Sequence, residues 1–175
     1  LDSYGVEYTF ADGTKLFFDG RCMDGAEGIY SSHAHSTKGN AILSAGGDCG
    51  LPSRLFSSLD HSKPIWDSKV PNDQRDPYQN EWNDLVAAIR ADKPYNEVES
   101  GVMASMTCNL GRIAAHTGKE WTMDAVLKSE VELAPGIDKW TMDSPPPVKS
   151  NAEGRYPVPE PGKVIDREYA QQAQA

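Results

Sequence analysis

Two alternating runs, VEYTF and KLFF, flank Asp12-Gly13 within a few residues of the first position. Asp-Gly between alternating runs is the signature of a β-hairpin closed by a tight turn. The spacing predicts one strand over 5–10, with Val6, Tyr8 and Phe10 on one face. It predicts a second over 15–21, with Leu16 and Phe18 on one face and Phe17 on the other. Ahead of that sheet, no cofactor-binding domain, leader or membrane anchor is expected within these residues. The chain is therefore expected to be either a self-sufficient α+β domain or one part of a larger protein, and the second is the expectation adopted.

The pattern continues with GIYSSHAHSTKGNAILS. A third strand is predicted over 28–35, a turn at Ser36-Thr37-Lys38-Gly39, and a fourth strand over 40–44. Consecutive strands joined by short turns form an antiparallel meander. The third strand is polar at Ser31, Ser32, His33 and His35, so its face meets solvent, a subunit or a substrate rather than a core. Residues 45–76 are irregular, broken by Gly46, Gly47, Gly50, Pro52, Pro64 and Pro71, with Leu55-Phe56 as a short fifth strand. A loop this long is commonly functional or docked.

Two helices follow. Asp76 is an N-cap, Pro77 suits the first helical position, and Gln79 completes a capping box. Trp82, Leu85, Val86 and Ile89 supply an apolar stripe up to Arg90. Asn96 is expected to cap the next helix, whose stripe is Val98, Val102, Met106, Leu110 and Ile113 and whose end is Gly118. Thr122 caps a short third helix reaching Lys128. Beyond Leu133, six of the twelve prolines fall between Pro145 and Pro161. Such a segment forms neither helix nor central strand and runs extended. The expected organisation is an α+β domain over 1–133 and a proline-rich arm over 134–175. Its open-faced, mainly antiparallel sheet has two main helices packed on one face.

With 175 residues and a net charge of −9, the chain suits one soluble domain and repels phosphate backbones and anionic lipid. Nucleic acid and membrane are excluded as expected partners, and no apolar run reaches the roughly 18 residues of a spanning helix. With no leader visible, the cytoplasm is the expected compartment. Three widely spaced cysteines, Cys22, Cys49 and Cys108, form neither a disulfide framework nor a zinc motif.

The order VEYTFADGTKLFFDGRCM, SSHAHSTKG and NEWNDLVAAIRADKPYNEVESGVMASMTCNLGRIAAHTGKEWTMD resembles the C-terminal domain of the glucose–fructose oxidoreductase/inositol dehydrogenase/MocA family. The similarity covers Tyr4 to Leu127; the hairpin, the S-T-K-G turn and the helices ending in H-T-G-K are its most specific parts. The resemblance implies a two-domain oxidoreductase that uses NAD or NADP on a sugar or polyol. Its Rossmann domain would precede this chain, which would supply part of the substrate pocket and, as often in the family, the oligomer interface. Three departures bear on this. The dinucleotide fingerprint G-x-G-x-x-G is absent, and Gly46-Gly47-Asp48-Cys49-Gly50 is followed by Leu51-Pro52 rather than a helix. Asp92-Lys93-Pro94 mimics the family's catalytic Glu-Lys-Pro but sits in an interhelical turn. Ser36 stands where the family often carries glycine.

Hydride transfer requires a bound cofactor, a base and an aligned carbon. This chain alone is therefore expected to hold no NAD or NADP and to be inactive, with no catalytic or metal-binding residue. The substrate-binding candidates are His33 and His35, which share a strand face as i and i+2, Arg21 at the end of the second strand, and Tyr78 on the first helical turn. For each, the competing reading is structural: interface for the histidines, an ion pair for Arg21, packing for the aromatics. Trp82, beginning the stripe, is expected in the core. The partners expected are a second copy of the chain, as a dimer through the sheet face, and a sugar or polyol. The alternatives are a stand-alone carbohydrate-binding or scaffold module and an NAD-dependent glycosidase.

Overall fold

The computed structural model describes residues 2–45, 53–69, 76–130, 134, 136–146, 148–156 and 158–162. The glycine-rich run at 46–50, Cys49 and the C-terminal QQAQA lie outside them. In chain order the elements are β1 (Ser3–Thr9), β2 (Lys15–Arg21), β3 (Ser31–Ser36), β4 (Gly39–Ala45), β5 (Arg54–Phe56), β6 (Trp66–Asp67), α1 (Pro77–Arg90), α2 (Val98–Thr117) and α3 (Met123–Leu127). A 3-10 turn, Ile137–Lys139, follows. The fold is α+β with antiparallel strands, an open sheet and two main helices, as the sequence predicts. The chain divides into two compact units, Leu1–Asp24 with Glu97–Ala175, and Gly25–Asn96.

In the first unit the turn chemistry of Asp12-Gly13 sets the register. The Gly13 N–H donates to the Phe10 carbonyl and the Phe10 N–H to the Thr14 carbonyl, both at 2.9 Å. Gly13 takes the left-handed conformation at φ 84°, and the Asp12 carboxylate accepts from the Thr14 N–H at 2.9 Å. This is a three-residue hairpin loop with a left-handed last residue, which matches the twist of the flanking strands. Phe10 lies one residue past the end of β1 and is 54% exposed.

The pairs Val6↔Phe18 and Tyr8↔Leu16 follow, and strand alternation puts these four side chains on one face. That face carries α2: the Tyr8 hydroxyl donates to the Thr107 carbonyl at 3.1 Å. Tyr8 and Val6 also close on the bare Cα of Gly111. Ile113 on α2 and Val126 on α3 are buried here, each such side chain contributing about 1.5–3 kcal/mol. Gly118 ends α2 at φ 66° and the Thr122 hydroxyl caps α3, both as the sequence predicts. The start of α2 differs: Glu97, not Asn96, holds the N-cap position and makes no side-chain cap bond.

The second unit holds a four-stranded sheet in the order β3-β4-β5-β6, all antiparallel. The expected single meander is therefore two sheets, β1–β2 and β3–β6. The physical reason lies between Arg21 and Ser31, where Gly25 (φ 76°) and Gly28 interrupt extended pairing. Phe56 is 2% exposed, stacked on His61 with centroids 4.5 Å apart. Helix α1 starts where its cap requires, with Asp76 accepting from the Tyr78 and Gln79 N–H groups. It ends on a left-handed non-glycine residue, Asp92 (φ 51°), with the Lys93 N–H returning to Ala88. No residue of α1 is buried. Trp82 is 62% exposed rather than in a core, because among the described residues no element of its own unit packs on the stripe.

Candidate functional site

The candidate site lies at the β3–β4 turn. All six residues of β3 are exposed, consistent with its run of serines and histidines. The turn is held by Ser36, whose hydroxyl donates to the Gly39 carbonyl and accepts from the Lys38 N–H, both at 3.1 Å. A bulge between Ser32 and His33 sets the register, so that His33 faces Ile42 and His35 faces Asn40. His35 Nδ1 lies 2.7 Å from Asn40 Oδ1. With the Asn40 carbonyl oxygen as acceptor, Nδ1 is the donor, which leaves Nε2 as the ring's second hydrogen-bonding atom for a hydroxyl.

Around this pair is a shallow recess of about 240 Å³, lined by His35, Lys38, Asn40, Leu55, Phe56 and Ile65 among others. Its lining is mostly apolar, with His35, Lys38 and Asn40 among its polar residues. It falls below the roughly 300–1,000 Å³ of drug-sized ligand sites and is far too small for a dinucleotide. Such a recess can hold a molecule of a few carbons by apolar contact, with polar side chains of the lining within reach of its hydroxyls.

The four residues singled out in the sequence are distributed unequally. His33 and His35 share β3, and only His35 lines the recess. Tyr78, 69% exposed, stands on the first turn of α1 and does not line it. Arg21 ends β2 in the other unit, opposite Ser3. Asn40, Phe56 and Ile65 were not legible as site residues. Only Asn40 left a signal, since a two-residue turn places it across from His35. Among the described residues no group of three or more histidine, cysteine or acidic side chains could hold a metal ion. Cys22 and Cys108 are free and exposed. No helix of the described residues is long and apolar enough to cross a membrane.

The edge of the same sheet is set by charge. Asp67 accepts from the Lys69 N–H and from Arg54 Nε, each at 3.0 Å. The Lys69 N–H, then Arg54, hold its carboxyl below the usual range. The Ser62 N–H acts likewise on Asp60. A folded-state value below the unfolded one means that the folded chain binds fewer protons between the two. The resulting stabilisation is complete above the unfolded value of about 3.9 and is lost as pH falls through the folded value. Acid titration followed by amide exchange should therefore loosen β5–β6 below about pH 4. Asp67→Asn should remove the part of that dependence carried by Asp67.

No protein family matches the chain, and no curated protein or solved structure shows significant similarity to it.

Proposed function

We propose that the chain is the substrate-binding and oligomerisation domain of an NAD(P)-dependent sugar or polyol oxidoreductase. The proposal rests on the resemblance to the glucose–fructose oxidoreductase/inositol dehydrogenase/MocA family. A separate Rossmann domain supplies NAD or NADP and the catalytic residues, and this chain supplies His33 and His35 for hydroxyl binding. Arg21 and Tyr78 are the further candidates for substrate contact.

The observation that carries the assembly half of this reading is the hairpin's outer face. Tyr8 and Val6 point to α2, so Glu7, Thr9, Lys15, Phe17 and Arg21 share the opposite face. Lys15 bonds Glu7 there and holds its carboxyl below the usual range, while Phe17 is 68% exposed. An aromatic ring among charged pairs is the composition of an interface, in which one or two anchors carry most of the binding energy. A dimer through this face pairs the ring with its copy.

Light scattering after size exclusion tests this. A dimer is expected for the chain, and Phe17→Glu should shift it to monomer with its circular dichroism unchanged. A wild-type chain that stays monomeric at high concentration contradicts the assembly role.

A further inference from the structure

The C-terminal end of α2 is closed from a distance. The last carbonyls of a helix lack intrahelical donors. The Thr117 carbonyl receives one from the Gly162 N–H at 2.8 Å, at the far end of the proline-rich arm. The approach depends on Gly118. A Cβ there would lie 3.0 Å from the Gly162 nitrogen and 3.2 Å from Pro161 Cβ. The receiving site is itself tied down, since the Thr117 hydroxyl donates to the Ile113 carbonyl at 2.7 Å and accepts from Trp121 Nε1 at 2.9 Å. Glycine at 118 thus has two functions. It takes the left-handed conformation that ends the helix, and its missing side chain leaves the space that Pro161-Gly162 occupies.

We propose that Val158–Gly162 is a strap latched onto the C-terminal end of α2, which opens and closes as a unit while the hairpin–α2–α3 layer stays folded. The strap is largely exposed: Val158 is 63% exposed, and the space around the Cβ position of Gly162 is open. Pro159 and Pro161 lack N–H groups and have restricted φ, so the strap is stiff in its free state and loses little conformational entropy on closing. A stiff, exposed segment held at its end through a main-chain hydrogen bond releases by a local opening whose free energy lies well below that of global unfolding. The inference is independent of the proposed function.

Amide exchange on the whole 175-residue chain tests it. In the wild type the Gly162 amide should be protected at least about tenfold, yet less than the amides of α2, and its exchange should be insensitive to low denaturant. Gly118→Asn separates the two functions of the glycine, because asparagine tolerates the left-handed conformation but carries a Cβ. The Gly162 protection should vanish while α2 amides keep theirs. Gly136→Asn is the control: φ is 69° and nothing lies within 4 Å of its Cβ position, so the strap should stay latched. Gly162→Pro removes the donor, and proline cannot take the φ of 83° found there, so the strap should release while the hairpin and α2 amides keep their protection. An unprotected Gly162 amide in the wild type overturns the proposal. So does protection retained in Gly118→Asn, or loss of hairpin and α2 protection in Gly162→Pro.

Discussion

Gly111→Ala is expected to destabilise the hairpin–helix layer by about 2 kcal/mol, although alanine is the better helix former by roughly 1 kcal/mol. The reason is contact, not propensity. An alanine Cβ at this position would sit 2.0 Å from the Tyr8 hydroxyl oxygen and 3.0 Å from the carbon bearing it. Tyr8 cannot simply swing away, because its hydroxyl is bonded to the Thr107 carbonyl one helical turn back. Burial is the main cause that pushes the phenol's pKa up. Overpacking of this kind costs about 1–3 kcal/mol, and displacing the hydroxyl loses a hydrogen bond of about 1 kcal/mol. Together these exceed the gain in helix propensity. Tyr8→Phe alone should cost about 1 kcal/mol. The double variant should cost less than the sum of the two, because the phenylalanine ring removes the nearest atom. Denaturant unfolding of the four species measures the coupling. A Gly111→Ala chain more stable than wild type would mean that the hairpin does not lie on α2 in this register.

Gly39→Ala is expected to cost about 3 kcal/mol or more and to unravel β3–β6. Gly39 sits at φ 143°, a conformation that L side chains rarely adopt, and an added Cβ would lie 2.4 Å from the Phe56 carbonyl oxygen. That atom is main chain, in the residue paired with Asn40, so it cannot yield without breaking the β4–β5 ladder. The unit has little to compensate with, since Ala41 and Phe56 are its buried apolar residues among those described. Loss of the ladder also removes the recess, because Phe56 and Ile65 form part of its lining. Proteolysis should then cut within residues 25–69 while the hairpin and α2 remain protected.

Much of the local structure was legible because its punctuation is chemical. Asp76 and Pro77 mark the start of α1, Gly118 the end of α2, Thr122 the start of α3, and Asp12-Gly13 the hairpin turn, whereas the Gln79 side chain expected in a capping box bonds Asn83. Each works through groups within a few residues of each other. What remained hidden depends on distant partners. Strand β6 is two residues long and exists only because Trp66 and Asp67 meet Leu55 and Arg54. The split into two sheets depends on where β2 and β3 do not pair. The apolar stripe of α1 shows an amphipathic helix but not what covers it, and Trp82 is exposed accordingly. The candidate site follows the same rule. The histidine pair is visible as polarity within one strand, whereas the lining of the recess draws on β5 and the residue before β6 across two ladders.

The most direct test of the proposed role is nicotinamide reduction by the gene's entire protein product against a panel of sugars and polyols, with the 175-residue chain assayed beside it. The account expects substrate-dependent reduction of NAD or NADP by the entire product and none by the chain alone. Reduction by these 175 residues unaided, or an entire product that binds neither nucleotide, would contradict it.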